Sequence, residues 1–477
     1  MPVSPPRRIA YDVLHRVEAG GAYASDVLHE ALDARVKPAD ARLATEIVFG
    51  VLRWRRLLDF LLDRHLKKPV ERLDLPVRLA LRMGLYQLRF LDKIPAHAAV
   101  NESVELVKIA RKTSAASLVN AVLHKAATEA RQSAEQFLPR KLARAERLAI
   151  SYSHPAWIVH RWITRLGEPP AITLLEANNQ RPRLSCVLNA PDRRESVLGD
   201  LQKAGLHVDS GLLLKDAFVL SAGSPSRTQA FRNGLISIQD EASQAVPLLL
   251  GVRPGDRVLD LCAAPGGKTP PLARAAGRTG LVVAADRHAH RLNAMRAQFE
   301  RIGLSGVRLV ELNAEEPLPF REQFNRILVD APCSGTGTLA RHPEIRWRLR
   351  PDQLLEFHEL QVRLLRNAIA NLGPGGQVAY STCSMEPEEN EQVIAAVLCD
   401  DSSLRAVAAE VIVERLRPFL ADACHTSTLF TSGGYFRTSP AVHHTDGFFV
   451  AVLERPPSSL AQASLDNYTS VNPGGTP

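Results

Sequence analysis

The 477-residue sequence lacks any apolar run long enough to span a membrane, and its N-terminus has no apolar signal core. Both absences predict a cytoplasmic protein without a membrane partner. Its six cysteines form no C-x-x-C pair, so we expect no metal site and free thiols in a reducing compartment. A chain of this length is expected to fold into two or three domains.

The sequence also lacks a complete phosphate-binding loop. The stretch DLCAAPGGKT (residues 260–269) ends like one, but Cys262 stands where the first glycine is required, and G-x-G-x-x-G is absent there as well. Spacing alone leaves a generic nucleotide loop and an ordinary βα turn equally open. Asp286, 20 residues after Gly266, ends the next predicted strand, where a carboxylate receives ribose hydroxyls. Together these features favour a nucleoside ligand without a phosphate group, such as S-adenosylmethionine.

The first third of the chain has too few acidic residues to balance its basic ones. Residues 1–150 hold 26 Lys and Arg against 17 Asp and Glu, whereas the remainder holds 33 against 34. The surplus favours nucleic acid as a partner over a merely solvated basic surface. Apolar spacing predicts helices from residue 6 to about residue 130. Within them, a basic and aromatic cluster suits RNA binding or, equally, a core tryptophan with solvated arginines: Arg53, Trp54, Arg55 and Arg56.

From residue 257 the pattern alternates between strands and helices, which predicts a parallel sheet. The predicted strands are 257–261, 281–285, 307–312, 326–329, 377–381 and 447–453. Cys333 and Cys383 each follow a strand end, in loops rich in Gly, Ser and Pro, where catalytic groups gather in such sheets. A lone cysteine is more often a small buried apolar residue, but two at successive strand ends favour chemistry.

Several motifs carry family resemblances. FGVLRWRRLLD, MGLYQLRFLDKIPAHAAVNESVELVK and SLVNAVLHK resemble the NusB-like RNA-binding domain. QDEAS, DLCAAPGGKT, DAPCSGTG with RHPEIRW, YSTCS with EPEEN, and DGFF resemble, in that order, the Sun-type (Fmu) family of RNA cytosine-5 methyltransferases. With the NusB-like segment, the chain is similar to the bacterial 16S ribosomal RNA branch of that family.

The resemblance implies an α/β fold: a Rossmann-like S-adenosylmethionine methyltransferase domain, preceded by an all-α NusB-like domain and a small α/β linker domain. The expected boundaries are 5–135 for the NusB-like domain, 136–235 for the connector and small RNA-recognition domain, and 236–455 for the methyltransferase domain. Residues 456–477 are expected to be a disordered tail.

The resemblance also implies roles for single residues. Cys383 is the nucleophile that adds to C6 of a cytosine, Cys333 assists product release, and Asp330 binds the edge of the base. Lys268 lies near both the base and the cofactor. The residues implied to hold S-adenosylmethionine are Cys262, Ala263, Ala264, Pro265, Gly266, Gly267, Lys268, Asp286, Arg291, Asn313 and Asp330.

The implied substrate is 16S ribosomal RNA, naked or at an early stage of assembly, and the branch is the one that methylates C5 of cytosine 967. We expect a monomer. Two alternatives stay open. One is a cytosine methyltransferase whose nucleophile is Cys333, since DNA cytosine methyltransferases use a Pro-Cys motif like that of Pro332 and Cys333. The other is an RNA-binding assembly or antitermination scaffold with an idle methylase fold.

Overall fold

The computed structural model describes residues 3–32, 35–220, 225–422 and 424–457. Within these ranges the chain forms two compact units. One, here called the helical unit, comprises the residues up to 181 together with residues 338–349, and the other, the sheet unit, comprises the rest. All but the first two residues of the predicted tail lie outside the described residues. None of the described helices is long and apolar enough to cross a membrane.

The helical unit confirms the prediction of helices from residue 6 to about residue 130. In the long helix α3, buried Ile47, Val51, Leu58 and Leu62 recur at intervals of three to four residues or their multiples, so one face packs into the core. Proline begins this helix at Pro38, where the missing N–H costs nothing. The helices of residues 1–181 are α1 (Pro5–Gly20), α2 (Ala24–Ala31), α3 (Pro38–Asp63), α4 (Leu75–Phe90), α5 (Ala96–Ile109), α6 (Ala116–Glu129), α7 (Arg144–Ser151), α8 (Ala156–Leu166) and α9 (Glu168–Asn179).

The sheet unit alternates strands with helices, as predicted. Its strands are β1 (Leu184–Leu188), β2 (Val208–Ser210), β3 (Ala217–Leu220), β4 (Ile236–Ile238), β5 (Arg257–Leu261), β6 (Leu281–Asp286), β7 (Val307–Glu311), β8 (Phe324–Asp330), β9 (Leu372–Thr382), β10 (Arg405–Ala406), β11 (Phe436–Arg437) and β12 (Phe449–Glu454). The helices after α9 are α10 (Arg194–Lys203), α11 (Gln229–Arg232), α12 (Glu241–Leu249), α13 (Thr269–Ala276), α14 (Ala289–Arg301), α15 (Ile345–Arg348), α16 (Gln353–Ala370), α17 (Glu391–Asp400), α18 (Ala409–Leu416) and α19 (Pro440–His443).

The described strands form two sheets. A small antiparallel sheet has the order β2-β3-β1-β4. The large sheet has the order β10-β12-β9-β8-β5-β6-β7, with β11 paired to β12. Pairing is parallel from β9 through β8, β5 and β6 to β7, whereas β12 runs antiparallel to β9. The predicted parallel sheet is confirmed, and the antiparallel β12 makes the whole sheet mixed.

Residues 338–349, which include α15, pack within the helical unit. The Glu344 carboxylate accepts the N–H of Ala24, the first residue of α2, at 3.0 Å. Arg348 donates to the carbonyl oxygen of Val17 in the last turn of α1 at 2.9 Å. Acidic groups suit helix N-termini and basic groups suit C-termini, so this segment satisfies both ends of the α1–α2 turn. The predicted boundaries instead assign these residues to the methyltransferase domain.

A buried ion cluster ties four parts of the helical unit together. The Arg82 side chain on α4 is fully buried and donates to both oxygens of Asp59 on α3, at 2.6 and 2.7 Å. It also contacts Glu18 on α1 at 2.9 Å and Glu71 in the loop before α4 at 2.9 Å. Removing one partner of such a cluster leaves buried charges without compensation.

We therefore expect Arg82→Met to destabilise the helical unit strongly. Loss of one member of a buried ion cluster costs about 3–5 kcal/mol. The measurement is thermal unfolding of the full chain followed by circular dichroism. Arg8→Ala is the matched control, because Arg8 makes one exposed pair with Asp12, and such pairs contribute below about 1 kcal/mol. Equal small shifts for both variants would contradict the role given to Arg82.

Candidate active site

Four neighbouring parallel strands bring the predicted site residues to one edge of the large sheet. The order β6-β5-β8-β9 is continuous, and Leu261 at the end of β5 pairs with Ala285 and Val329 on its two sides. Asp330 at the end of β8 pairs with Ser381 of β9. Because all four strands are parallel, their carboxyl ends and the following loops meet at that edge.

Asp330 is the centre of the polar contacts at this edge. Its carboxylate accepts from the Lys268 ammonium at 2.6 Å and from the Ser381 hydroxyl at 2.7 Å. Burial lowers the pKa of Lys268, but the charge and hydrogen bond of Asp330, with smaller contributions from Cys383 and Asp260, together raise that pKa. The Lys268 ammonium also lies 5.1 Å from the ring centre of Phe448, in the DGFF motif. Lys268 is thus held as a cation beside Asp330.

The two cysteines of the predicted catalytic pair lie together. The Sγ atoms of Cys333 and Cys383 are 3.4 Å apart. The hydrogen bond with Cys383, together with burial, raises the pKa of the Cys333 thiol well above its ordinary value. Cys333 is therefore held as a thiol. Cys262 lies apart from this pair, in the loop after β5, and burial raises its pKa as well.

Three motif segments approach one another closely at Gly337. Its N–H donates to the carbonyl oxygen of Cys383 at 2.9 Å, and its own carbonyl accepts from Gly447 at 2.8 Å. A Cβ atom at Gly337 would lie 2.1 Å from the Gly447 carbonyl oxygen. Only glycine fits there, so the glycines of DAPCSGTG and DGFF allow these loops to meet beside the thiols.

Asp260, the first residue of DLCAAPGGKT, is a buried acid. Its Oδ2 accepts from the Thr269 hydroxyl at 2.7 Å, and its Oδ1 has no hydrogen-bond partner among the described residues. Burial raises the pKa of Asp260 to about 7. With Lys268 already paired to Asp330, the second carboxylate is held in its neutral form over much of the acidic range.

The structure also places the residues predicted to hold the cofactor. Asp286 ends β6, and its two oxygens accept the backbone N–H groups of Ala264 and His288 at 3.3 and 3.0 Å. Each oxygen keeps a lone pair, so the carboxylate can also accept ribose hydroxyls beside the loop 262–268. These residues fit S-adenosylmethionine.

Two more predicted cofactor residues lie near the same sheet edge. Asn313 follows β7, and its amide bonds to Glu316 and to the backbone of Glu315, each at 3.2 Å. Arg291 is exposed on α14. Their contacts with the cofactor stay predictions.

The predicted RNA-binding cluster lies on α3 of the helical unit, and all four residues have partners there. Arg53 is 8% exposed and donates to the carbonyl of Ala340 at 3.0 Å. Trp54 stacks on Phe90, with 5.1 Å between ring centres. Arg55 pairs with Glu71 and Arg56 with Glu146. These contacts already engage the four side chains within the protein. Their part in RNA binding stays a prediction.

The sequence prediction missed one buried carboxylate at the site, Glu389 in EPEEN. It is fully buried and bonds to Ser334 and Ser384, the residues after the two cysteines. The three glutamates of this motif follow the end of β9 and could have drawn attention to it. Nothing in the linear sequence, however, shows that Glu386 and Glu389 are buried whereas Glu388 is partly exposed.

The site has a glycine-rich loop after one parallel strand, an acidic residue at the end of the next strand and two thiols at later strand ends. This arrangement places the protein in the class of S-adenosylmethionine-dependent methyltransferases. A family model described as "16S rRNA methyltransferase RsmB/F" matches residues 247–454. The NusB family model matches residues 4–128, and the ferredoxin-like domain of the same methyltransferases matches residues 154–226.

Relatives at the level of whole chains agree. The chain is 33% identical to ribosomal RNA small subunit methyltransferase B of Klebsiella pneumoniae, over 94% of this chain and 97% of that protein. It is 36% identical to the protein of that name from Pseudomonas syringae, over 84% and 88%. The chain therefore belongs to the RsmB/F family of ribosomal RNA small subunit methyltransferases, and its cofactor is S-adenosylmethionine.

Solved structures show the same architecture. The crystal structure of PH0851 superimposes with a TM-score of 0.78 at 26% identity, covering 95% of this chain and 99% of that one. A methyltransferase homologue from Pyrococcus horikoshii has a TM-score of 0.54 at 29% identity, covering 66% and 100%. The expected fold, a helical NusB-like domain, a small α/β domain and a methyltransferase domain, is thereby confirmed.

The pKa of Asp260 predicts a pH-dependent stability. Because the folded-state pKa is raised from 3.8 to about 7, the stabilisation is fully present below the unfolded pKa and is lost as pH rises through 7. Between these two pKa values, the free energy of unfolding of the wild-type protein should fall by up to about 1.4 kcal/mol per pH unit relative to that of Asp260→Asn. Thermal midpoints of both proteins without cofactor, compared at about pH 5 and about pH 7, measure this change. A constant difference between them would contradict it.

Proposed function

We propose that the protein methylates C5 of a cytosine in 16S ribosomal RNA through a covalent adduct between Cys383 and C6 of the base. One observation carries the proposal: two thiols 3.4 Å apart beside the Asp330–Lys268 pair. The C5 atom of cytosine is a poor nucleophile. A thiol that adds to C6 makes C5 electron-rich, which splits a difficult substitution into easier steps.

Each residue then has a distinct task. The Cys383 thiolate forms the bond to C6, and the electron pair of the C5–C6 double bond moves toward C5 and the ring. Asp330 accepts from the N4 amino group at the base edge, with its geometry fixed by Lys268 and Ser381. After methylation the C5 proton passes to solvent water, its electron pair forms the C5–C6 double bond again, and the bond to Cys383 breaks to release the thiolate. We assign Cys333 to this release step.

S-adenosylmethionine, held by the loop 262–268 and Asp286, supplies the electrophilic methyl group. Asp286 is the residue suited to its ribose hydroxyls, because its carboxylate is fixed by two backbone N–H groups. Lys268 ends the loop and contacts Asp330, so it links the cofactor loop to the residue that binds the base.

The choice of Cys383 as the nucleophile follows the family resemblance, in which the cysteine of YSTCS adds to C6 and that of DAPCSGTG assists release. The alternative in which Cys333 is the nucleophile resembles DNA cytosine methyltransferases. The NusB-like domain and the second thiol disfavour it. An idle scaffold is disfavoured because it would have no use for an Asp330–Lys268 pair beside two thiols.

The proposed substrate follows from the relatives, whose names specify the small-subunit ribosomal RNA. By resemblance the target is cytosine 967, in naked RNA or an early assembly intermediate. The base has to leave its stack for C6 to be reached, which single-stranded or loop RNA makes easiest. A ribosomal RNA substrate also implies a cytoplasmic location, and we propose a monomer.

We expect Cys383→Ala to abolish methyl transfer and Cys333→Ala to accumulate a protein–RNA adduct. Without Cys383 no bond to C6 can form, whereas without Cys333 the bond forms but is not released. Methyl incorporation into a 16S RNA transcript, read by bisulfite sequencing, and denaturing gels of the mixture measure the two effects.

Calorimetric titration of S-adenosylmethionine into Cys383→Ala serves as the control and should match the wild-type protein. An adduct trapped by Cys383→Ala instead would exchange the two roles. Failure of the wild-type protein to bind the cofactor would favour the scaffold.

We expect RNA binding to weaken steeply with salt. The basic surplus of residues 1–150 implies several phosphate contacts, and each releases a counterion. Between about 50 and 200 mM salt the affinity should fall by at least roughly tenfold, measured by fluorescence anisotropy of a labelled RNA hairpin. Salt-independent binding would show that the basic surplus does not grip the backbone.

A further inference from the structure

The two cysteine loops contact each other directly, and a buried carboxylate, Glu389, also connects them. Ser334 directly follows Cys333, and Ser384 directly follows Cys383. Both hydroxyls donate to the Oε1 atom of Glu389, that of Ser384 at 2.5 Å. The backbone N–H of Ser334 donates to Oε2 at 2.7 Å. One side chain therefore holds the residue after each thiol.

Glu389 is itself fixed from two other directions. Gln361 on α16 donates to its Oε2 at 3.1 Å and to the carbonyl oxygen of Pro332 at 3.0 Å. The Tyr380 hydroxyl on β9 donates to its backbone carbonyl at 2.6 Å. Glu389, Gln361 and Tyr380 are all 0% exposed. A carboxylate in such a dry, fully bonded place has little freedom to move.

The charge of Glu389 also bears on the thiols. Burial raises its pKa, but the ionised form is the one that can accept from all of its donors, which are two serine hydroxyls, an amide N–H and the Gln361 amide. For Cys333, the hydrogen bond with Cys383 and burial come first in raising the pKa, and the negative charge of Glu389 adds to them. A carboxylate at this place favours a proton on Cys333.

We propose that Glu389 is a positioning residue that sets the separation of the two catalytic thiols by holding the serine after each. Its effect on catalysis rests on the proposed function, but its effect on thiol geometry does not. Glutamine at this position replaces one acceptor oxygen by a donor, so it cannot accept from all four groups. At least one cysteine loop then loses its anchor.

Thiol–disulfide exchange with glutathione measures the thiol separation without RNA or cofactor. Cys333 and Cys383, as thiols, react with one oxidised glutathione to give the intramolecular disulfide and two reduced glutathiones. The equilibrium constant reports how well the fold holds the two sulfur atoms together. Peptide mass mapping identifies the 333–383 link among the six cysteines.

We expect Glu389→Gln to lower this equilibrium constant by roughly tenfold or more, a free-energy loss of about 1.4 kcal/mol. Glu391→Gln is the matched control and should stay within about twofold of the wild-type value. Glu391 lies two residues away and pairs with Arg437, at 2.9 Å, rather than with either cysteine loop. Thermal unfolding of each variant checks that the fold persists.

Ser384→Ala is a second variant, which removes the Ser384–Glu389 hydrogen bond but keeps the carboxylate. It should lower the constant on its own, yet add less in the Glu389→Gln background than in the wild-type protein, because both changes remove the Ser384–Glu389 hydrogen bond. If Glu389→Gln does not fold, Ser384→Ala and Ser334→Ala carry the test alone. Wild-type constants in these variants would overturn the positioning role.

The two proposals can fail separately. If the wild-type protein makes no 5-methylcytosine but Glu389→Gln still lowers the disulfide constant, only the proposed function fails. If the wild-type protein methylates RNA and Glu389→Gln leaves the constant unchanged, only the positioning role fails.

Discussion

The parallel register between β8 and β9 is the constraint on which the site depends. It sets Asp330 opposite Ser381, and their side chains are joined by a 2.7 Å hydrogen bond. Cys333 follows three residues after Asp330, and Cys383 two residues after Ser381, so both thiols rise from neighbouring strand ends. A slip by one residue would turn every side chain of β8 to the opposite face and separate Asp330 from Lys268. The chemistry is thus a consequence of strand pairing.

Electrostatics limits how many charges that edge can hold. Only 12% of the Lys268 side chain is exposed, and one carboxylate, Asp330, compensates its charge directly. Asp260 is a second carboxylate nearby, with one oxygen bonded to Thr269 and its pKa raised to about 7. A single ammonium supports a single ionised partner in such a dry place, since desolvation disfavours every further charge. Below about pH 7, the proton on Asp260 therefore keeps a second negative charge away from the Asp330–Lys268 pair.

Local patterns in the sequence were enough for the five parallel strands, for β12 and for the two thiols, but not for the short strands β10 and β11. Strand β5 has the predicted bounds, and Cys333 and Cys383 meet because each follows a strand whose apolar run is unambiguous. The place of residues 338–349 was not predictable, because it depends on Glu344 and Arg348 reaching the ends of two helices more than 300 residues earlier. Such partners are determined by tertiary packing, which produces no periodic pattern in the sequence.

The two carboxylates beside the thiols, Asp330 and Glu389, differ in exposure and in the number of protein donors that they accept. Asp330 has two side-chain donors and keeps a quarter of its side chain exposed, so it has both the lone pairs and the access to meet a base. Glu389 is closed to solvent and its oxygens are taken by protein donors. A carboxylate whose lone pairs are all used by protein donors cannot bind substrate, and the same hydrogen bonds hold it in place. Exposure thus supports the proposed role of Asp330 in binding the base and the proposed role of Glu389 in holding the thiols in place.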